Sequence, residues 1–92
     1  ITHVQWKIIQ ENVKEALTNA RKYADASQIT INIQILNKII KAEVKDNGKG
    51  AAKIKKGIGI TGMEERAASL GGHVITDGSH GFSVTTLLPI EP

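Results

Sequence analysis

The sequence predicts an α+β domain built as a two-layer α/β sandwich, in which helices pack on one face of a mixed, mostly antiparallel sheet. Its hydrophobic pattern reads helix, strand, strand, loop, helix, strand, strand, and no repeat interrupts it. The chain has 92 residues, a length that fits one domain with a modest core. We therefore expect a single domain over residues 1–92, and the start at Ile1 without an initiator methionine suggests a fragment of a longer protein.

Composition and charge exclude several classes of protein. The chain has no cysteine, which rules out disulfides, thiolate metal sites and a cysteine nucleophile and fits a reducing compartment. No apolar run approaches the roughly 20 residues that span a bilayer, and no secretory signal opens the chain. The formal net charge of +3 is too small to indicate nucleic-acid binding. We expect a cytoplasmic domain without a nucleic-acid partner, whose parent protein could be anchored in a membrane.

The first helix is predicted from His3 to about Tyr23. Its start is marked by the capping box Thr2–Gln5, with Ile1 and Trp6 placed to form a hydrophobic staple. One face is apolar at helical period and is expected to bury against the sheet. This face contains Trp6, Ile9, Val13, Ala16, Leu17, Ala20 and Ala24.

A hairpin follows the first helix. Residues Gln28–Leu36 alternate isoleucine with polar side chains, which predicts a strand with one apolar and one wet face. Asn37-Lys38 forms a tight turn, and the alternation continues from Ile40 to Asp46. The second strand of this hairpin therefore ends at Asp46, where a glycine-rich loop begins.

The C-terminal part is predicted as a second helix and a second hairpin. The helix runs from Gly62 to Leu70 and is closed by Gly71-Gly72. The strands are His73–Asp77 and Phe82–Leu88, and Pro89 ends the last one.

Two glycine-hinged loops flank a short lysine-rich segment. The first is Asp46–Gly50 and the second is Gly57–Met63. Glycine allows positive φ and close approach of backbone amides to a ligand, and nearby lysines offset phosphate charge, so the arrangement suggests a nucleotide pocket. The lysines are Lys49, Lys53, Lys55 and Lys56. Taken alone, these lysines also fit an ordinary solvated loop.

A polar stripe borders the apolar face of the first helix. It contains Asn12, Glu15, Asn19 and Lys22. A carboxylate and an amide at i and i+4 point the same way and can hold a hydrated Mg²⁺, which prefers oxygen ligands and waters. An amphipathic helix with local side-chain pairs is the alternative.

Three motifs resemble those of sensor histidine kinases and occur in that family's order. Asn12–Ala24 resembles the N box, Asp46–Gly50 the first glycine box and Gly57–Arg66 the second. The resemblance covers nearly the whole chain. It implies the Bergerat-type ATP-binding fold shared by gyrase, heat-shock chaperones, histidine kinases and mismatch-repair proteins. The Gly-Met-Glu-Glu-Arg run that starts at Gly62 is similar to kinases that signal to NarL-type response regulators.

The resemblance implies a role for each matched residue. Asn19 would bind Mg²⁺ through its amide oxygen, and Glu15 would be a catalytic carboxylate that polarises the metal's waters or the attacking group. Asp46 would accept a hydrogen bond from the adenine amino group, which selects ATP over GTP. The other expected nucleotide contacts are Lys22 and Tyr23 at the phosphates, Gly48 and Gly50 around the base, and Gly57, Gly59, Ile60, Thr61, Gly62 and Met63, which bring backbone amides and a helix N-terminus to the phosphates.

The chain departs from the family pattern in two places. The family usually has Gly-Thr before its last strand, where the threonine hydroxyl supports the adenine-binding aspartate, whereas this chain has Gly81-Phe82-Ser83. The Phe82 side chain cannot donate a hydrogen bond, and Ser83 points to the opposite face of the strand. We therefore expect Thr85 or a water to take the place of the threonine. The interval between the glycine boxes is also short, and its lysines are expected to act in place of the usual lid.

Two other ligand-binding patterns fit the sequence less well. Gly57-x-Gly59-x-x-Gly62 with Asp77 matches the dinucleotide-binding fingerprint. That Rossmann-like alternative needs a buried apolar strand before the first glycine, and residues 51–56 contain one isoleucine among three lysines. A Ca²⁺ loop at Asp46-Asn47-Gly48 fails because no further carboxylates follow at ligand spacing.

The resemblance implies one function and leaves a second open. The first is the catalytic domain of a sensor histidine kinase, which binds Mg-ATP and transfers the γ-phosphoryl group to a histidine on a separate dimerisation and phosphoacceptor domain, with a NarL-type response regulator as the next partner. His3 sits at a helix start without the family's acid-rich acceptor motif, His73 begins a strand and His80 lies in a turn, so the acceptor is expected upstream in the parent protein. The second is a non-catalytic nucleotide-binding regulatory module. We expect the isolated chain to be a monomer and the parent to be a homodimer.

Overall fold

The structure is a computed structural model that describes residues 2–23, 27–48, 59–78 and 81–90, without the side chains of residues 22 and 23. Within these ranges the elements are α1 (His3–Tyr23), β1 (Ile29–Leu36), β2 (Ile39–Asp46), α2 (Ile60–Ala68), β3 (His73–Asp77) and β4 (Phe82–Pro89). The order confirms the α+β pattern that the hydrophobic period predicts. No helix in the described ranges is long and apolar enough to cross a bilayer.

The four strands form one sheet in the order β1-β2-β4-β3. β1 with β2 and β3 with β4 are antiparallel neighbours, and β4 lies antiparallel to β2 with Val44 paired to Val84. Every pairing among the described strands is therefore antiparallel, and the mixed character expected from the sequence does not occur. The reason is that the connection through α2 places β3 at the far edge, so that β4 returns beside β2 in the opposite direction.

Both helices pack on the same face of the sheet. In the register of β2 and β4, Ile40 pairs with Leu88 and Val44 pairs with Val84, and all four side chains are buried. Apart from Ala20, the buried apolar residues form two clusters. The first contains Ala16, Val44, Ile60, Met63, Phe82 and Val84, and the second contains Ile9, Ile40, Ala42, Ala67 and Leu88. The first cluster contains residues of both helices, β2 and β4, and it lies at the end of the sheet where β2 ends and β4 begins.

The start of α1 confirms the capping box. The Thr2 N–H donates to Gln5 Oε1 at 2.8 Å, and the Gln5 N–H donates to Thr2 Oγ1 at 3.1 Å. Gln5 Nε2 also donates to the carbonyls of Pro89 and Ile90, both at 3.0 Å, and so joins the first turn of α1 to the end of β4. The proposed staple partner Ile1 lies outside the described residues.

The buried face of α1 is rotated from the one predicted. Ile9, Ala16 and Ala20 are buried as expected, but Trp6 is 39% exposed; Ala24 lies outside the described residues. Polar side chains take the positions between them. Gln5, Asn12 and Asn19 are all buried and lie seven residues apart, and we call them the buried polar row. The prediction was wrong for Trp6 because a search for apolar side chains alone passes over polar residues that are paired inside the protein.

The second helix begins and ends two residues earlier than predicted. It covers Ile60–Ala68 rather than Gly62 to Leu70, because Gly59 at φ 78° is the left-handed residue from which the helix starts. Its C-terminus confirms the glycine cap, since Gly71 has φ 76° and the Gly72 N–H donates to the Ala67 carbonyl at 2.8 Å.

The edge strand β1 is exposed on both of its faces. Its isoleucines lie on the helix-facing side of the sheet, since Ile35 pairs with the fully buried Ile40, yet Ile31, Ile33 and Ile35 are 45%, 43% and 57% exposed. The expected apolar inner face therefore points toward the helix layer but is largely uncovered. The helices pack mainly over β2, β4 and β3, and α1 reaches β1 only at a few positions.

Candidate functional site

The elements that carry the three sequence motifs meet at the first hydrophobic cluster. Ala16 of α1 packs there with Val44 near the end of β2 and with Ile60 and Met63 at the start of α2. Each of these apolar residues lies within a few positions of a polar residue predicted to belong to the site. Burial of the cluster therefore brings the polar residues to one end of the domain.

Asp46 is the last residue of β2 and is 3% exposed. Its Oδ1 accepts the Gly48 N–H at 2.8 Å and the Phe82 N–H at 3.2 Å. Burial of a carboxylate is costly unless hydrogen bonds compensate it, and these two backbone donors supply that compensation. Because both bonds use Oδ1, they fix the direction of the carboxylate without using Oδ2.

The loop around Asp46 is held by its neighbours. Asn47 Oδ1 accepts the N–H groups of Ser27 and Gln28 at 3.0 and 2.9 Å, and its Nδ2 donates to Ser27 Oγ at 2.9 Å. Gly81 has φ 70°, and a Cβ there would overlap the carbonyl oxygen of Asp46. The approach of the β4 start to Asp46 thus requires glycine.

The N-terminus of α2 lies at the same end of the sheet, since Ile60 packs with Val44 and Phe82. Its N-cap residue, Gly59, makes no capping hydrogen bond through a side chain, and the first intrahelical bond runs from the Met63 N–H to the Gly59 carbonyl at 3.1 Å. The amides of residues 60–62 precede this bond and point toward the N-terminal end of the helix. Such an end binds anions because its N–H groups and its dipole both favour negative charge.

Glu15 and Asn19 lie on the same helix at the α2 side of the site. A Cβ built on Gly59 would be 2.6 Å from Glu15 Cδ and 2.8 Å from its Oε1, so the Glu15 carboxylate lies directly against the N-cap of α2. Asn19, one turn further along α1, is 6% exposed. Of the two residues predicted to be catalytic, Glu15 therefore lies at the helix end predicted to face phosphates, and Asn19 lies one turn further along α1.

The strand register places Thr85 away from Asp46. Asp46 pairs with Phe82, whereas Thr85 pairs with Glu43, three positions earlier on β2. Because side chains alternate between faces, this odd offset places Thr85 on the opposite face from Asp46, together with Ser83. Thr85 therefore does not replace the missing threonine, and the contact that the structure shows instead is the backbone N–H of Phe82.

Several predicted site residues fall outside the described part of the chain. They are the side chains of Lys22 and Tyr23, the glycines Gly50 and Gly57, and the lysines Lys49, Lys53, Lys55 and Lys56.

The residues present fit a magnesium ion that arrives with a nucleotide. Within residues 2–23, 27–48, 59–78 and 81–90, no three His, Asp or Glu side chains are grouped as a metal site. The candidate oxygen donors are one amide, Asn19, and one carboxylate, Glu15. Mg²⁺ at nucleotide sites is usually bound by one or two protein groups together with phosphates and waters. This donor set fits that arrangement and does not fit an all-protein cage.

The polar stripe predicted from the sequence did not indicate the structural role of Asn12. Its side chain is 1% exposed and contacts α2 and β4 rather than the stripe on its own helix. A signal was present, because Gln5, Asn12 and Asn19 recur at a seven-residue interval, which keeps them on one face of a helix.

Comparison with known proteins finds relatives that are histidine kinases. No family model matches the chain. The sensor histidine kinase LiaS of Bacillus subtilis (strain 168) is 35% identical over 85 residues, which cover 87% of this chain and 24% of LiaS. The signal transduction histidine-protein kinase/phosphatase UhpB of Salmonella typhimurium (strain LT2) is 28% identical over 103 residues, which cover 97% of this chain and 21% of UhpB. The chain thus spans less than a quarter of the length of these relatives.

The fold has solved counterparts. The ATP binding domain of PrrB from Mycobacterium tuberculosis superimposes with a TM-score of 0.76 at 20% identity, covering 94% of this chain and 69% of that one. The α+β fold of this chain is thus that of a solved histidine kinase domain. By its similarity to LiaS, the chain belongs to the sensor histidine kinases. The Rossmann-like alternative is excluded, since it requires a parallel sheet and the described strands pair antiparallel throughout.

Proposed function

We propose that the chain binds Mg-ATP and is the catalytic domain of a sensor histidine kinase, which transfers the γ-phosphoryl group to a histidine on a separate domain. The observation that carries the proposal is the junction at one end of the sheet, where Asp46 pairs with Phe82 of the first cluster and Glu15 lies against the start of α2. The similarity to sensor histidine kinases over most of the chain supports it.

Adenine recognition is assigned to Asp46. Two backbone N–H groups hold its Oδ1, so the carboxylate is already oriented before a ligand binds. A carboxylate accepts a hydrogen bond from the adenine amino group, whereas guanine presents a carbonyl acceptor there and would leave a buried carboxylate without a donor. Gly48 and Gly50 would form the turn around the base.

Phosphate binding is assigned to the second glycine box. The amides of Ile60, Thr61 and Gly62 lie in the first turn of α2, which follows the left-handed N-cap residue Gly59. In the proposal, Gly57, Lys22 and Tyr23 complete the contacts to the phosphates. The helix dipole adds a favourable term for the negative charge of the ligand.

Phosphoryl transfer requires mainly positioning and charge neutralisation. Mg²⁺, when bound, would neutralise charge that develops on the phosphates, and Asn19 would hold it through its amide oxygen. Glu15 lies against Gly59 at the phosphate end and would polarise the attacking group. The acceptor histidine would come from the dimerisation and phosphoacceptor domain of a homodimeric parent.

The next partner is proposed to be a response regulator of the NarL type, from the Gly-Met-Glu-Glu-Arg run that starts at Gly62. The catalytic domain would act in the cytoplasm, where ATP and response regulators are found, whether or not the parent is anchored in a membrane.

The test is phosphoryl transfer in trans. The 92-residue chain is mixed with the purified phosphoacceptor domain of its parent and ATP labelled at the γ-phosphate. We expect labelled acceptor from the unmodified chain and at least about a hundredfold less from Asn19→Ala, because the cation beside the triphosphate loses its protein ligand.

The matched control is Asn32→Ala, which removes the same side chain from the exposed strand β1 and is expected to transfer normally. Tight ATP binding without any transfer would instead support the non-catalytic regulatory module. Equal transfer by Asn19→Ala and the unmodified chain would contradict the assigned magnesium ligand.

A further inference from the structure

Asn12 connects three elements through one buried amide. Its Nδ2 donates to the Met63 carbonyl at 3.3 Å and to Thr86 Oγ1 at 3.2 Å, and its Oδ1 accepts from Arg66 Nε at 3.0 Å. The side chain of Asn12 thus contacts α2 at two positions one turn apart and β4 at a third. We call this set of contacts the Asn12–Arg66 link.

The link lies one turn from the proposed phosphate site on both helices. On α1, Asn12 precedes Glu15 by three residues. On α2, Met63 is the residue whose N–H makes the first helical bond, to Gly59. The Arg66 side chain extends toward the N-terminus of α2, since its Nη1 would lie 3.5 Å from a Cβ added to Gly62. The contacts therefore fix the start of α2 against the part of α1 that carries Glu15.

Arg66 is itself held from α1. Its side chain is 32% exposed, and besides the bond to Asn12 its Nε lies 3.7 Å from Glu11 Oε2. The pairing with exposed Glu11 contributes little by itself, because water and salt screen it. The bond to the buried amide is directional, and it sets where Arg66 can lie.

We propose that Asn12 and Arg66 are positioning residues, which hold the N-terminal amides of α2 in register with Glu15 and Asn19 for the phosphates of the nucleotide. This inference rests on the proposed function. An apolar side chain at position 12 would fill the same space, but it would define the placement of α2 over α1 less closely, since apolar packing is not directional. The polar link thus determines relative placement more than it adds stability.

The test measures dissociation constants of Mg-ATP and Mg-GTP for the 92-residue chain by isothermal titration, together with thermal unfolding of the nucleotide-free protein. Asn12→Leu and Arg66→Met are each expected to weaken Mg-ATP binding by about tenfold, because small displacements of positioned groups are costly. Both nucleotides should lose affinity in proportion, since Asp46, which distinguishes the bases, is untouched.

The double variant separates positioning from direct contact. If Arg66 acts through Asn12, then Arg66→Met in the Asn12→Leu background weakens binding no further. Independent, multiplying losses would mean that Arg66 contacts the phosphates by itself and would overturn the proposal. Arg66→Lys should behave like Arg66→Met, because lysine lacks the planar Nε donor.

Gln5→Leu is the matched control. It removes another member of the buried polar row and two hydrogen bonds to the end of β4, at a distance of two helical turns from Asn12. It is expected to lower the unfolding temperature and leave nucleotide affinity unchanged. If Asn12→Leu and Gln5→Leu have the same affinity, Asn12 has only a structural role.

Two outcomes remain distinct from these. If the unmodified chain does not bind Mg-ATP, the proposed function and this inference are both overturned. If the unmodified chain binds Mg-ATP and Arg66→Met binds it equally well, only the inference is overturned. This result holds even if Asn12→Leu fails to fold, because Arg66 is partly exposed and methionine in its place leaves the core filled.

Discussion

A single residue, Gly59, joins two parts of the proposed phosphate site, the start of α2 and the Glu15 carboxylate. It starts α2 at φ 78°, and a Cβ on it would meet the Glu15 carboxyl group at 2.6 Å. The two constraints are separable, because Glu15 is a flexible side chain that can withdraw whereas the left-handed backbone cannot relax without moving the helix start. Glycine is therefore required mainly by the backbone.

We expect Gly59→Ala to lower the free energy of unfolding by about 1–2 kcal/mol, the usual cost of a left-handed non-glycine residue. Gly62→Ala is the control, since a Cβ there meets only Arg66 Nη1 at 3.5 Å inside a helix, and it should be neutral or stabilise by up to about 1 kcal/mol. Urea denaturation of both variants measures the difference. Equal stabilities would mean that the helix does not start at Gly59.

Asp46 provides a second test at the scale of one residue. Asp46→Asn keeps an Oδ1 that can accept from Gly48 and Phe82, so the fold is expected to persist, but the new Nδ2 cannot accept from an adenine amino group. We expect ATP affinity to fall by about tenfold to a hundredfold and the preference for ATP over GTP to shrink, which corresponds to losing a hydrogen bond to a charged group. Isothermal titration with both nucleotides checks this.

Glu43→Gln is the control for Asp46→Asn, because it neutralises a carboxylate on the same strand but on the opposite face of the sheet. An unchanged ATP preference in Asp46→Asn would assign base recognition to another group.

At the scale of elements, β1 and β2 show how position in the sheet outweighs side-chain type. Ile35 and Ile40 are paired across the two strands, yet Ile35 is 57% exposed and Ile40 is fully buried. We expect Ile40→Ala to cost about 2–5 kcal/mol of unfolding free energy, as for other large-to-small core substitutions. Ile35→Ala should cost less than about 1 kcal/mol, since little of its surface is removed from water.

Chemical denaturation of these two variants gives a direct comparison, because residue type, strand pair and substitution are the same. Similar losses in both would indicate that something covers the isoleucines of β1 in solution.

The sequence predicts the helices, strands and caps better than it predicts which of their side chains are buried. The capping box, the first hairpin and the glycine cap after α2 are local patterns, so they could be read from neighbouring residues and are confirmed. The exposure of β1 and of Trp6 depends on where α1 lies over the sheet. That placement is a property of the whole fold, and periodicity within one segment does not contain it.

The same distinction holds at the candidate site. Asp46 at the end of β2 followed from strand alternation and motif, and the structure places it there, buried. The orientation of Thr85 relative to Asp46 could not be predicted from the sequence, because it depends on the register between β4 and β2, which only pairing across the sheet defines. Asn12 was noticed as polar but not as a link between elements, since its partners lie more than 50 residues away in the chain, in α2 and β4.

For the molecule as a whole, the hydrogen bonds from Gln5 to the carbonyls of Pro89 and Ile90 have a mechanical consequence. They hold the first turn of α1 directly beside residues 89 and 90, so that force applied between Gln5 and Ile90 would load these two bonds first. The proposed nucleotide site lies at the opposite end of the sheet and would be loaded only after the two bonds break.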